Sequence, residues 1–129
     1  MFSRLLFQVI PPGTEDLRWE LVDGEPVAMA PPGLNHGAIQ NQVGTLLAIH
    51  LRTHRPTCRV ITTPGVIPQL RARFNERIPD LGVSCGPFTD GRALADPLLL
   101  VEILPPPSNG GETGSMRGPM PPFPACKRC

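Results

Sequence analysis

The chain changes character sharply near residue 105, and this break limits what it can fold into. From Pro105 to Cys129 there are 7 prolines and 4 glycines in 25 residues, and few apolar side chains. Such a composition buries too little apolar surface to offset the entropy lost on ordering. We therefore expect a disordered tail over residues 105–129 and a folded domain upstream of it.

The upstream part is long enough for one small domain. The whole chain has 129 residues, too few for two catalytic domains, and we expect an N-terminal extension over 1–17 and a folded core over 18–104. The 12 Lys and Arg against 11 Asp and Glu give a net charge of +1, which excludes the strong non-specific attraction of a very basic domain to nucleic acid. Neither a signal-peptide pattern nor an apolar run of membrane-spanning length occurs, which favours a soluble cytoplasmic protein.

A hairpin is predicted at the start of the core. Two short β runs, residues 19–22 and 25–29, flank the dipeptide Asp23-Gly24. Asp-Gly favours a type I′ turn between antiparallel strands. Pro26 weakens the second run and indicates an edge strand.

One amphipathic helix is predicted next, over residues 35–54. Asn35 follows a Pro-Pro-Gly break and is suited to the N-cap position, and Pro56 ends the pattern. Apolar residues recur between them at helical spacing. These residues are Ile39, Val43, Leu46, Leu47 and Leu51.

Strand patterns follow the helix. Residues 58–63 are short and β-branched, and 77–84 reads as their hairpin partner across an arginine-rich loop. Residues 98–104 are apolar on both faces, which predicts a central strand. The fold class expected from these elements is α/β, a mixed β-sheet with one main N-terminal helix.

Two carboxylates interrupt these apolar strands. Asp80 and Glu102 each stand in a predicted buried run, where a charge costs several kcal/mol unless it is paired or metal-bound. Two carboxylates on neighbouring strands suit a hard cation such as Mg²⁺, which activates a water against a phosphodiester. The alternative is that Asp80 opens a turn after Pro79 and that Glu102 pairs with an arginine such as Arg77.

The order of these motifs resembles the Uma2 family of candidate endonucleases, in the PD-(D/E)xK restriction-endonuclease-like superfamily. The resemblance covers about residues 18–109 and implies an Mg²⁺- or Mn²⁺-dependent endonuclease that hydrolyses DNA. It also implies that Asp80 and Glu102 are the catalytic, metal-holding acids. The matching motifs are Arg18–Glu25, Met29–Pro32, His36-Gly37, Pro64–Val66, Ile78–Leu81 and Val101–Leu104.

The resemblance suggests further site residues. The superfamily often uses an additional acid from its first helix or the approach to it, and Glu20 or Glu25 could serve, although neither lies on the predicted helix. His36 could contact phosphate or metal, or simply cap the helix. Arg77 could contact phosphate together with nearby loop arginines, or all of them could be solvated.

Leu104 stands where the superfamily motif has lysine, as is usual in chains that resemble Uma2, in which a lysine on a following helix takes over the charge. The chain departs from the family pattern because a Pro/Gly-rich tail is expected in place of that helix, and Lys127, the only lysine, lies too near the end to replace it. We expect a chain that is C-terminally truncated or frameshifted, with impaired activity and an uncovered sheet that favours a homodimer. The alternatives are a non-catalytic remnant or DNA-binding accessory domain, and a fragment that does not fold stably.

Overall fold

A computed structural model describes residues 3–4, 18–88, 90–94 and 96–106. Its elements within these ranges are β1 (Arg18–Val22), β2 (Glu25–Met29), α1 (Leu34–His54), β3 (Cys58–Thr62), β4 (Gly65–Val66), a short 3-10 helix (Ala72–Phe74), β5 (Leu81–Cys85), β6 (Ala93–Leu94) and β7 (Pro97–Val101). In the described ranges they form one main helix and three small sheets, which confirms the predicted mixed α/β class. Most of the predicted extension, 1–17, and most of the predicted tail, 105–129, lie outside the described residues. No described helix is long and apolar enough to cross a membrane.

β1 and β2 form the predicted hairpin. They pair antiparallel with Val22 opposite Glu25, and φ is 49° at Asp23 and 85° at Gly24. Positive φ at both central positions is what a type I′ turn requires. Asn75 stabilises the turn, because its Oδ1 accepts the Asp23 N–H at 3.0 Å.

The predicted helix is confirmed, with a different start. α1 begins at Leu34, and Gly33 occupies the N-cap position without a side-chain hydrogen bond. The prediction of Asn35 as N-cap is wrong, because this residue already lies in the first helical turn. The helix ends at His54, as predicted.

α1 packs on the sheet through a narrower stripe than its sequence predicts. Leu47 and Leu51 pack near Val83 of β5, whereas Ile39 and Leu46 are 47% and 63% exposed. Positions four apart face the sheet, and Leu46 is turned from Leu47 by about 100° around the helix axis.

β5 is the central strand of the main sheet, whose order is β3-β5-β7. Both pairings are antiparallel, with Thr62 and Val101 on either side of Leu81. The predicted pairing of 58–63 with 77–84 is therefore confirmed. β5 starts only at Leu81, and Pro79, two residues earlier, has no N–H to donate to a ladder.

The prediction that the last strand is central is wrong. In the part of the chain that the structure describes, β7 pairs with β5 alone, and Leu98 and Leu99 are 39% and 43% exposed. An apolar run does not by itself distinguish a central strand from an edge strand. β7 ends at Val101, so Glu102 follows the strand instead of lying within it.

A disulfide joins Cys58 and Cys85. These residues begin β3 and end β5, and they stand directly opposite each other in the register. Which cysteines pair depends on the strand register, and the number of cysteines does not predict that register.

Two isolated bridges position the segment that leads into β5. Glu76 bridges Leu21 of the hairpin, and Arg77 bridges Val66 of β4. The backbone hydrogen bonds of these bridges are 2.8–2.9 Å long. Residues 76–80 are therefore held on two sides before β5 begins.

Candidate functional site

Asp80 is the centre of the candidate site. It lies immediately before β5 and is only 8% exposed. Nε2 of His36 lies 2.8 Å from Oδ1 of its carboxylate, and the Ile103 N–H donates to Oδ2 at 2.7 Å. Both carboxylate oxygens therefore have a partner, and the side chain is held in one orientation.

The start of α1 supplies the second set of contacts. Gln40 follows His36 by four residues and so lies on the same face of the helix. Its Nε2 donates to the backbone oxygen of Asp80 at 2.7 Å, and the Thr63 N–H donates to the same oxygen at 3.0 Å. Asp80 thus joins the helix, the end of β3 and the segment after β7.

Glu102 directly follows β7 and is exposed. The expectation that it sits in the middle of a buried strand is wrong, because the strand ends one residue earlier. Its neighbour Ile103 donates the hydrogen bond that holds Asp80. The chain around Glu102 therefore runs beside the buried carboxylate.

Glu20 and Arg77 meet each other beside this site. Glu20 is 2% exposed, its Oε1 accepts the Ile78 N–H at 2.9 Å, and its Oε2 lies 3.9 Å from Nη1 of Arg77. The Arg77 side chain is 11% exposed, and its Nε has no hydrogen-bond partner among the described residues. Glu20 thus holds the backbone two residues before Asp80.

Glu25, the other candidate acid, lies apart from this arrangement. It is the first residue of β2, next to the hairpin turn, and it is exposed. Of the residues singled out in the sequence, the structure brings together His36 with Asp80, and Glu20 with Arg77.

Sequence reasoning missed Gln40 and Ile103. The four-residue spacing of His36 and Gln40 is a usable signal, since two polar side chains at that spacing share a face of the helix. The Ile103 contact comes from a backbone N–H, and no residue type indicates it.

A groove of about 310 Å³ begins beside Asp80 and runs between α1 and β3. Gln40, which binds Asp80, and Leu81, which follows it, line the groove at this end. The full lining is Gly37, Gln40, Asn41, Gly44, Thr45, Ala48, Val60, Thr62 and Leu81.

The profile of one protein family matches residues 5–115, more than four fifths of the chain. It is that of Uma2, described as "Putative restriction endonuclease". The chain belongs to the Uma2 family. Comparison with curated proteins and with solved structures gives no match.

The donor set of this Uma2 chain fits some metal ions and not others. Among the described residues no three His, Cys, Asp or Glu side chains are grouped to hold a metal, which does not suit the closed sites of structural zinc. Mg²⁺ is commonly held by one or two carboxylates, with water and substrate phosphate completing the shell. Each side-chain oxygen of Asp80 accepts one hydrogen bond from a described residue and has a further lone pair. The carboxylate therefore fits a magnesium-type site.

Proposed function

We propose that this Uma2 protein is a metal-dependent endonuclease that hydrolyses phosphodiester bonds in DNA. The observation that carries the proposal is the buried Asp80 carboxylate, fixed by His36 and by the Ile103 N–H in the family's PD motif. A carboxylate fixed from two sides is preorganised to hold a cation without paying for reorientation.

The second acid is assigned to Glu102. The antiparallel register pairs Leu81 with Val101, and its continuation by one residue would pair Asp80 with Glu102. Their places next to the last paired residues of the two strands support Asp80 and Glu102 as joint holders of Mg²⁺ or Mn²⁺.

A divalent cation at these carboxylates would polarise the scissile phosphate and lower the pKa of a bound water. The chain's own residues do the positioning. His36 keeps Asp80 in place because its Nε2–H donates to Oδ1 of the carboxylate. Glu20 fixes the Ile78 N–H, so its role in the proposal is to hold the PD segment.

The rate is expected to be low. Leu104, 82% exposed, occupies the position at which the motif carries lysine, and a preorganised charge of that kind contributes about 10²–10³ in rate. A cytoplasmic location and a homodimer remain predictions, and sedimentation velocity measures the second.

The test is cleavage of plasmid DNA with Mg²⁺ or Mn²⁺ by the wild-type chain, Asp80→Asn and Glu102→Gln. Both variants are expected to lose cleavage, whereas Glu25→Gln, which removes an exposed carboxylate at the hairpin, keeps it. Cleavage by Asp80→Asn at the wild-type rate refutes the assignment. A wild-type chain that binds DNA but cleaves none under either metal supports the non-catalytic alternative instead.

A further inference from the structure

The groove between α1 and β3 is lined mainly by small and neutral polar residues. Four of its side chains are neutral and polar, and three are glycine or alanine. Asn41 is exposed, and it donates no side-chain hydrogen bond to any described residue. The small residues leave room for a ligand backbone to approach the helix closely.

None of the residues that line the groove is charged. Residues 26–75, which contain α1 and β3, include no Asp or Glu but five arginines. Both groove walls therefore carry no negative charge, and the acidic residues of the chain lie before or after this segment. A surface free of carboxylates suits an anionic ligand.

Arg52 lies beyond the lined part of the groove, at the end of α1 away from Asp80. It follows Thr45 by seven residues and Ala48 by four, so it lies on the groove-lining stripe of α1. It is exposed, and it makes no ion pair with any described residue. From Gly37 to Arg52 the helix rises about 22 Å, which corresponds to about six nucleotides of one strand.

We propose that this groove binds the phosphodiester backbone of the DNA strand on one side of the scissile bond. The inference rests on the proposed nuclease function, because it takes Asp80 as the point where the strand meets the metal. Amide and hydroxyl groups are common donors to phosphate oxygens, and they position a duplex without reading its sequence. Asn41 and Thr62 supply such groups, and Arg52 supplies a cation at the far end.

The decisive comparison uses two adjacent positions of α1. Asn41→Glu places a carboxylate in the groove, and Gln42→Glu places the same charge on the neighbouring position, which is exposed and outside the lining. Binding of a fluorescein-labelled duplex is measured by anisotropy in EDTA, so that no cleavage occurs. We expect Asn41→Glu to bind at least tenfold more weakly than wild type and Gln42→Glu to stay within twofold.

Lysine variants at the same two positions test the proposal even if Asn41→Glu fails to fold. Asn41→Lys is expected to tighten binding, and by more than Gln42→Lys. Arg52→Gln is expected to reduce the slope of log affinity against log salt by about 1, whereas Arg73→Gln, an exposed arginine away from the groove, leaves the slope unchanged. Equal binding by the position 41 and position 42 variants overturns the groove proposal.

The same measurements separate this proposal from the nuclease function. Asp80→Asn is expected to keep wild-type DNA binding in EDTA while losing cleavage in Mg²⁺. Groove variants that weaken binding in a chain without cleavage support the groove and refute the nuclease. Groove variants that bind normally, beside an Asp80→Asn variant that has lost cleavage, refute the groove alone.

Discussion

His36 and Asp80 are 44 residues apart in the chain, and their side chains meet at 2.8 Å across the start of the main sheet. The contact ties the first turns of α1 to the buried carboxylate, and Gln40 reinforces it through the Asp80 carbonyl oxygen. The helix therefore positions the proposed metal-holding acid as well as covering the sheet.

Replacing His36 by alanine should destabilise the fold. Asp80 is 8% exposed, and a hydrogen bond to a charged group contributes about 1.5–3 kcal/mol. We expect His36→Ala to lower the free energy of unfolding by about 2 kcal/mol, measured by urea denaturation in EDTA. His50→Ala, an exposed histidine on the same helix, should change it by less than about 0.5 kcal/mol. An equal effect of the two variants contradicts this role of His36.

The buried pair of Glu20 and Arg77 should show strong coupling. Glu20→Leu leaves the Arg77 guanidinium buried without this carboxylate, a change that typically costs about 3–5 kcal/mol. The double variant Glu20→Leu/Arg77→Met removes both charges and should be more stable than Glu20→Leu alone. Urea denaturation of the four chains measures the coupling, with Arg73→Met as an exposed control. Additive effects of the two single changes would show that the residues do not interact.

The local parts of the fold were predictable from sequence because their causes are local. Asp23-Gly24 specifies its own turn, and the helical spacing ending at Pro56 locates α1 to within one residue at its start. The prediction that β7 is a central strand was wrong because an apolar run indicates burial but does not indicate how many strands pair with it. Strand order depends on pairing between distant segments, which one sequence does not display.

The sequence also indicated only part of the candidate site. Asp80 stood out because an acid in an apolar run demands a partner, and the family motif pointed to it independently. Its partners, His36 and the Ile103 N–H, could not be chosen in advance, since each comes from a different element. Arg77 was a candidate phosphate contact on charge alone, and the structure instead buries it against Glu20.

Reduction of the disulfide should lower stability. Cys58 and Cys85 are separated by 27 residues. A disulfide that closes a loop of this length lowers the entropy of the unfolded chain, which stabilises the fold by about 3–4 kcal/mol at 25 °C. We expect a dithiol reductant to lower the free energy of unfolding by up to this amount. The Cys126→Ser/Cys129→Ser chain should respond to the reductant as wild type does, and Cys58→Ser/Cys85→Ser should not respond. If the reductant still lowers the stability of Cys58→Ser/Cys85→Ser, its effect does not come from this disulfide.

A lysine at position 104 should raise the cleavage rate. Leu104 is 82% exposed and stands two residues after Glu102, so the substitution completes the superfamily's acid-x-lysine motif without disturbing a packed side chain. A cation there would stabilise the charge that develops on the phosphate, an effect of about 10²–10³ in rate when the donor is preorganised. Initial rates on supercoiled plasmid in Mg²⁺ measure it for wild type and Leu104→Lys.

The control for this experiment adds the same charge elsewhere. Leu70 is 59% exposed, and Leu70→Lys raises the net charge, and with it the general affinity for DNA, as much as Leu104→Lys does. We expect Leu70→Lys to cleave at close to the wild-type rate, so that the gain at position 104 reports on chemistry and not on binding. If both lysines accelerate cleavage equally, the low rate of the wild-type chain has another cause than the leucine in its motif.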